Sequence, residues 1–203
     1  MLETVRQRIP HARWHAVGVS LGGNALLKYL GEHHEETRWL NACAGVSAPL
    51  DLVACGKTLS TGVFNRRVYT AHFLKTLKHK VLEKAHRFPG AVDVMRIAHA
   101  HDLREFDDTY TAPMHGFRNA LDYWTRASSK PWLPKIAVPT LVLNARNDPF
   151  IPAASLPTPQ DCSPSILLHQ PTDGGHAGFP TGSFPAHLNW LPQRLGRFFE
   201  TGL

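Results

Sequence analysis

The stretch that decides the fold is HAVGVSLGGNALLKYLGE, at residues 15–32. With the preceding tryptophan it begins as the apolar run WHAVGV, at 14–19, which is typical of a buried parallel strand. Ser20 and a pair of glycines come next. Apolar residues then recur at helical spacing over 25–30, with Gly31 as the predicted helix C-cap. The stretch therefore predicts a strand, a sharp turn and a helix, which together are half of a βαβ unit.

The turn in this stretch, Gly18-Val19-Ser20-Leu21-Gly22, matches the G-x-S-x-G pattern of a nucleophile elbow. Such an elbow holds its serine on a strained turn, and we expect side chains at positions 18 and 22 to collide with neighbouring backbone. The turn also directs the Leu21 N–H, at the positive end of the helix dipole, towards the place where an oxyanion would develop. Ser20 is therefore a candidate nucleophile. The alternative is a small residue at a tight turn.

A serine hydroxyl is a weak nucleophile at neutral pH, so Ser20 needs a base and an acid, in the chain order Ser, Asp, His. Asp148 comes just after the apolar run TLVLNA, and His176, in GGHAGF, comes just after SILLHQ. Asp148 has a structural alternative as an Asx-turn residue before Pro149, and Asp173 is a competing acid. We prefer Asp148 because it follows an apolar strand, whereas Asp173 lies close to the proposed base and is expected to order its loop.

A second apolar run, at residues 40–49, is rich in small residues and ends at Pro49, as a strand at the side of a sheet does. Beyond it the pattern changes. From about 51 to 134 helical periodicity replaces strand patterns, and we expect a mostly helical cap insertion there.

Strand patterns return after this insertion, at 138–150 and 165–170. We expect one helix and one strand between Asp148 and the His176 loop. The final segment, 184–200, predicts a terminal helix that is interrupted or restarted at Pro192. The order of elements predicts an α/β fold with a mostly parallel sheet.

The composition fits one globular domain over residues 1–203, with 43% hydrophobic and 19% charged residues. No apolar run reaches the roughly 18 residues of a membrane span, and the N-terminus lacks a signal-peptide pattern. Cys43, Cys55 and Cys162 form no C-x-x-C pair, which predicts neither a disulfide framework nor a thiolate zinc site. A cytoplasmic location is the expectation.

The net charge of +6 is densest at residues 73–87, FLKTLKHKVLEKAHR, where apolar residues recur about every 3.6 positions with lysines between them. This pattern favours a helix with a solvated basic face. The alternative is a face that makes peripheral contact with a membrane surface. No basic strand with interleaved aromatic residues occurs, so nucleic acid is not an expected partner.

The remaining histidines carry weaker signals. His99 and His101 stand two positions apart in a helical stretch, which argues against a metal pair. His33 and His34 lie next to a predicted helix end, where a cation interacts favourably with the dipole. His115 is either a loop residue or a wall of a pocket.

These motifs resemble the YheT-like branch of the α/β-hydrolases, also called the AB hydrolase 4 family. The segment REFDD…TAPMHGF…DYW, within 104–124, is the most specific, because generic hydrolases lack it. The other similar stretches cover nearly the whole chain and are VGVSLGGNALLKYLGE, SAPLDL, CGKTLSTGVFNRRVYTAHFLKTLKHKVLEK, VPTLVLNARNDPFIP and DGGHAGF.

The resemblance implies an α/β-hydrolase fold and hydrolysis of carboxylic esters, with a small-molecule or lipid ester as substrate. It implies Ser20, Asp148 and His176 as the triad and no cofactor or metal. The Leu21 N–H would supply one oxyanion donor. The oligomeric state stays open.

The cap insertion would supply the acyl pocket, and we expect Phe64, Phe73 and Leu77 among its walls. One departure from the family is small: Asn147 stands where the family often has Asp, which leaves the presumed acid in place.

A second departure is large. Family members have a longer region before the elbow strand, which carries further strands and a second oxyanion donor, whereas 14 residues precede residue 15 here. We therefore expect an N-terminally truncated α/β-hydrolase fold whose elbow strand is an exposed sheet edge. The alternatives are an inactive chain that needs an N-terminal complement and a lipid-surface protein.

Overall fold

A computed structural model gives the structure of residues 2–9, 11–61, 69–88, 90 and 92–203. Its strands are β1 His15–Val19, β2 Ala42–Val46, β3 Thr140–Leu143 and β4 Ile166–His169. Its helices are α1 Leu2–Arg8, α2 Leu21–His33, α3 Leu52–Ser60, α4 Ala71–Arg87, α5 Val94–His99, α6 Leu103–Phe106, α7 Ala112–Met114, α8 Ala120–Ala127 and α9 Trp190–Thr201. Short 3-10 helices occupy His34–Thr37, Lys130–Lys135, Ala153–Ser155 and Pro159–Asp161, and a π-helical turn occupies Asp107–Thr111.

The strands of the described residues form one parallel sheet in the order β1-β2-β3-β4, which confirms the predicted α/β class. Val19 pairs with Val46, and Val46 pairs with Leu143, so the carboxyl ends of the strands are aligned. The residues that come after these strands therefore meet along one edge of the sheet. β2 is fully buried between β1 and β3, and it is an interior strand rather than one at the side of the sheet.

Apolar side chains cover both faces of the sheet because successive residues of a strand point to opposite sides. On one face, Leu27 and Leu30 of α2 pack in a cluster with Cys43 and Val142. On the other face, Phe198 of α9 packs in a cluster whose sheet residues are Ala42, Ala44, Val46, Leu141 and Leu143. This two-sided burial explains why the strands read as continuous apolar runs.

Helices α3 to α8 lie between β2 and β3 in the chain, and we call residues 52–127 the helical insert. They confirm the predicted change of pattern in this region. The insert has apolar clusters of its own, one around Leu74, Val81 and Ile97 and another around Trp124. The amphipathic pattern predicted at 73–87 is α4.

The predictions for helix ends were less accurate. Gly31 is not the C-cap of α2, because the helix continues to His33. A Cβ at Gly31 would lie 2.5 Å from the Trp132 carbonyl oxygen, so this glycine permits close packing on the Lys130–Lys135 turn.

The terminal helix is neither interrupted nor restarted. α9 begins at Trp190, which places Pro192 in its first turn, where the backbone N–H has no helical acceptor to lose. Residues 148–176 contain β4 and two 3-10 turns in place of the expected α-helix.

β1 lies at the side of the described sheet, as the elbow strand was expected to do. Its predicted burial was wrong in part, since 46% of Val17 and 47% of Val19 are exposed. None of the described helices combines the length and apolar character needed to cross a membrane.

Candidate active site

Ser20 occupies the turn between β1 and α2 with φ 53° and ψ −128°, a left-handed conformation that is strained for a non-glycine residue. Its neighbours hold it there. The Ser20 N–H donates to the Val46 carbonyl at 2.8 Å, and the Ser20 carbonyl accepts from Gly23 N–H at 2.9 Å and Asn24 N–H at 3.1 Å. The turn is therefore tied to the adjacent strand on one side and to the first turn of α2 on the other.

Two of the glycines around Ser20 are sterically required. A Cβ at Gly18 would lie 2.4 Å from the Gly22 carbonyl oxygen, and a Cβ at Gly23 would lie 2.8 Å from the Gly18 carbonyl oxygen. The expected collision at Gly22 does not occur, because nothing lies within 4 Å of a Cβ built there. The close approach of α2 to β1 thus depends on Gly18 and Gly23.

The structure brings together the three side chains that the sequence singled out. His176 Nε2 is 2.9 Å from Ser20 Oγ, and His176 Nδ1 is 2.8 Å from Asp148 Oδ2. Asp148 and His176 lie on the loops after β3 and β4, at the same edge of the sheet as Ser20. The Asp148 side chain is fully buried, and 21% of the His176 side chain is exposed.

Two residues that sequence reasoning did not assign to the site support this arrangement. The Phe150 N–H donates to Asp148 Oδ1 at 2.8 Å, and the Phe150 ring meets the His176 ring edge-on at a centroid distance of 4.5 Å. Asn147 Oδ1 accepts from the Gly175 N–H at 2.9 Å, which joins the two loops. Asn147 and Phe150 flank Asp148 in the sequence NDPF, and this proximity was the signal that could have identified them as site residues.

The competing acid, Asp173, has a different role. Its Oδ1 accepts a hydrogen bond from Asn147 Nδ2 at 3.1 Å, and the residue is exposed. Among the described contacts it has none with the His176 ring. The geometry therefore agrees with the preference for Asp148.

A second serine, Ser47, comes after β2 as Ser20 comes after β1, and it also has a positive φ, of 48°. Its hydroxyl is buried and has no hydrogen-bond partner within the described part of the chain. The left-handed turn alone therefore does not distinguish Ser20, whereas the contact with His176 does.

The backbone of Leu21 lies at the N-terminus of α2, where the first N–H groups of a helix have no acceptor within it. The described backbone hydrogen bonds of this turn use the N–H groups of Ser20, Gly23 and Asn24, and none uses that of Leu21. The Leu21 N–H is thus free to donate to a ligand next to Ser20, at the positive end of the helix dipole.

Ser20 and His176 open into a cavity of about 540 Å³ between the sheet edge and the helical insert. Phe73 and Leu77 line it, as predicted, and Phe64 lies outside the described residues. The remaining lining residues are mostly apolar: Leu21, Pro49, Leu52, Cys55, Gly56, Leu59, His72, Thr76, Leu103, Phe106, Asp107, Thr111, Tyr123, Trp124, Phe150 and Ile151.

Cys55 is another potential nucleophile in this cavity. Burial, with added repulsion from Asp51 and Asp148, raises the pKa of the Cys55 thiol to about 12. A thiol with this pKa carries almost no thiolate at neutral pH, so Cys55 is a poor nucleophile.

The other histidines that the sequence singled out lie away from the cavity. His99 Nδ1 lies 2.7 Å from the Met95 carbonyl oxygen within α5, and the His101 N–H donates to Glu105. His33 ends α2, as predicted, and is 3.2 Å from Glu36. His115 is exposed in the turn after α7, so it is a loop residue and not a wall of the cavity.

Comparison with known proteins gives the class of this fold. The sequence profile of the alpha/beta hydrolase fold matches residues 1–183, and the chain belongs to this family.

Particular relatives are found by sequence and by structure. The chain is 34% identical over 204 residues to the esterase candidate YheT of Escherichia coli strain K12, covering 100% of this chain and 59% of YheT. It is 32% identical to the Homo sapiens phospholipase ABHD3, covering 98% of this chain and 49% of that protein. The solved structure of the Paleococcus ferrophilus monoacylglycerol lipase matches with a TM-score of 0.54 at 13% identity, covering 98% of this chain and 72% of that one.

These matches confirm the YheT-like resemblance and support a hydrolase with esterase-like and lipase-like relatives. The chain spans about half to three fifths of the length of the two sequence relatives.

Proposed function

We propose that this chain is a serine hydrolase that cleaves carboxylic esters through an acyl-enzyme. The observation that carries the proposal is the hydrogen-bonded series Ser20, His176 and Asp148 at the carboxyl edge of a parallel sheet. A nucleophile, a base and a group that orients the base are the parts that acyl transfer requires. The domain proposed to carry this activity comprises the sheet, its flanking helices and the helical insert.

In the first half of the reaction, Ser20 Oγ attacks the ester carbonyl carbon while His176 Nε2 takes the serine proton. Asp148 accepts the hydrogen bond of His176 Nδ1–H, which fixes the tautomer and stabilises the imidazolium that forms. The tetrahedral intermediate then collapses: the bond between the carbonyl carbon and the alcohol oxygen breaks, and His176 gives its proton to the departing alkoxide. The acyl group remains bound to Ser20.

In the second half, His176 takes a proton from water as the water oxygen attacks the acyl carbon. The acid leaves when the bond to Ser20 Oγ breaks and His176 returns the proton to the serine. In both halves the Leu21 N–H donates to the oxyanion, and each such donor is worth roughly 10²- to 10³-fold in kcat.

The cavity indicates the substrate class. Its volume of about 540 Å³ lies within the usual range of ligand pockets, and its walls are mostly apolar. A small ester or a lipid ester with a short or medium acyl chain fits such a space. The names of the relatives YheT and ABHD3 agree with this substrate class.

The helical insert offers less support for a lipid-surface protein that lacks chemistry. Leu74 and Val81 of α4 are buried within the insert, and Phe73 and Leu77 line the cavity, so its apolar face is already occupied. A face that binds a membrane needs apolar side chains that are free to enter the lipid.

The proposal is tested by stopped-flow hydrolysis of p-nitrophenyl hexanoate. We expect a burst of p-nitrophenol that matches the enzyme concentration, because this activated ester acylates Ser20 faster than water removes the acyl group. Ser20→Ala and His176→Ala should each lose roughly 10⁴-fold or more in kcat.

Ser47→Ala is the matched control for this experiment. It makes the same substitution at the same kind of strand end, and we expect it to retain the burst. Folded protein without measurable hydrolysis, or equal loss in the Ser20 and Ser47 variants, would contradict the proposal.

A further inference from the structure

The wall of the cavity contains one carboxyl group that the proposed mechanism does not use, that of Asp107. Trp124 Nε1 donates to Asp107 Oδ2 at 2.8 Å, and the neighbouring Thr111 side chain lowers the pKa of this carboxyl group. Tyr123 lines the same part of the cavity wall, and burial together with the charge of Asp107 raises the pKa of its phenol. These residues form a polar group in a mostly apolar cavity, and we call them the Asp107 cluster.

The segment REFDD…DYW, which sequence analysis found the most specific, builds this cluster. Asp108 Oδ1 accepts from the Ala120 N–H at 2.6 Å, which fixes the π-helical turn against the start of α8. Trp124, on the same helix, then reaches Asp107. Of the two adjacent aspartates, Asp108 thus holds the backbone, while Asp107 faces the cavity.

Asp107 has capacity to bind a further donor. An ionised carboxyl group has about four lone-pair sites, and the hydrogen bond from Trp124 uses one of them. No Lys or Arg pairs with Asp107 among the ion pairs of the described residues, and Asp108 adds a like charge. A carboxyl group in these surroundings gains from a hydrogen-bond donor on a ligand.

We infer that Asp107 is a specificity-determining residue that accepts a hydrogen bond from a hydroxyl group of the substrate. The cavity then selects esters with a free hydroxyl over fully apolar esters of the same size. A hydroxyl fits better than an ammonium group, because an ammonium group has three donors to satisfy and the apolar walls offer few acceptors. This inference deepens the proposed function and rests on it.

Kinetics with matched substrates test the inference. One pair is 1-monohexanoylglycerol and propyl hexanoate, which places the hydroxyls on the alcohol side of the ester. The other pair is p-nitrophenyl 6-hydroxyhexanoate and p-nitrophenyl hexanoate, which places the hydroxyl on the acyl side. In Asp107→Asn, the ratio of kcat/KM between the hydroxyl-bearing and apolar ester should fall roughly 10- to 100-fold in one of the pairs.

Asp108→Asn is the matched control, since it changes the neighbouring carboxyl group that does not line the cavity, and it should keep the wild-type ratios. A structural role for Asp107 would lower both members of each pair equally. Unchanged ratios in both pairs therefore overturn the inference.

Binding separates this inference from the proposed function. The ligand 1-O-hexylglycerol has hydroxyls and no ester bond, and calorimetry measures its binding to Ser20→Ala with and without Asp107→Asn. Weaker binding to the double variant supports the hydroxyl site even if wild-type protein hydrolyses no ester. Equal binding to both proteins, together with an unchanged ratio in the acyl-side ester pair, overturns the site and leaves the proposed hydrolase untouched.

Discussion

His176 Nε2 lies 2.9 Å from Ser20 Oγ, although 156 residues separate them in the chain. The parallel sheet makes this contact possible, because β1 and β4 end at the same edge and the segments that follow them carry Ser20 and His176. Asp148, on the loop after β3, completes the series. The contact therefore follows from the order and direction of the strands. It also identifies Asp148 as the acid beside His176, and this assignment can be tested by substitution.

Asp148→Asn should lower kcat by roughly 10³- to 10⁴-fold, because an amide donor at this position favours the wrong imidazole tautomer. Asp173→Asn is the matched control and should have an effect of less than about tenfold, since Asp173 contacts Asn147 and not the imidazole. Steady-state ester hydrolysis by both variants measures the difference. A larger loss for Asp173→Asn than for Asp148→Asn would show that the acid lies on the loop after β4 and that the present assignment is wrong.

The glycines of the elbow should differ in their tolerance of alanine. Gly18→Ala and Gly23→Ala place a Cβ within 3 Å of backbone oxygen and should each lose roughly 1 to 3 kcal/mol of stability. Gly22→Ala meets open space and should be neutral or stabilising by up to about 1 kcal/mol, because alanine is the better helix former.

Urea denaturation of the three glycine variants gives their free energies of unfolding. If Gly22→Ala is the most destabilised of the three, the packing of α2 on β1 has been described incorrectly.

The stability of the fold should depend on pH through Asp107. Burial raises the pKa of Asp107 above its ordinary value, although Thr111 and Trp124 act to lower it. As pH rises from below 4, the unfolded chain releases this proton before the folded protein does, so the free energy of unfolding falls until the folded group has also ionised. Asp107→Asn lacks this contribution.

The free energy of unfolding of Asp107→Asn relative to wild type should therefore increase between pH 4 and the raised pKa. Denaturant titrations at several pH values measure this difference, and Asp108→Asn serves as the control for loss of a carboxyl group. A difference that stays flat or decreases with pH would refute the prediction.

The exposed side of β1 should promote self-association of this chain. Val17 and Val19 are about half exposed on a strand whose outer edge has no partner in the described sheet. Changing both to Thr keeps the strand propensity and should reduce association in sedimentation velocity, with a stability change within about 0.5 kcal/mol.

Val46→Thr is the contrasting variant for β1, because Val46 pairs with Val19 yet is fully buried. It should lose roughly 1 to 3 kcal/mol, the cost of a buried hydroxyl without a partner. Unchanged association of the Val17 and Val19 variant would show that this strand edge is not the contact surface.

The sequence was sufficient for the parts of the fold that local patterns encode. Each strand is an apolar run bounded by turn residues, and parallel strands end at one edge of the sheet. The meeting of Ser20, Asp148 and His176 could therefore be predicted, because each follows the end of one of these runs within a short segment. The helical insert was also visible as a change of periodicity.

Features that depend on tertiary packing could not be predicted from the sequence. The G-x-S-x-G pattern predicts Gly22 as the second glycine that close packing requires. The direction of each Cβ depends on where α2 begins, and in the structure a Cβ would collide with backbone at Gly23 and not at Gly22. Asp107 lies in a helical stretch like many exposed acids, and only the contact with Trp124 reveals its place in the cavity. Pro192 resembles a helix breaker unless the helix start is known.

The central claim is that Ser20 is an activated nucleophile, and covalent labelling tests it most directly. Folded wild-type protein is treated with a fluorophosphonate probe, and the modified peptide is identified by mass spectrometry, with Ser20→Ala and Ser47→Ala in parallel. We predict one adduct, on Ser20, that is absent from Ser20→Ala and retained in Ser47→Ala. Folded wild-type protein that takes up no probe, or takes it up on another residue, would contradict the claim.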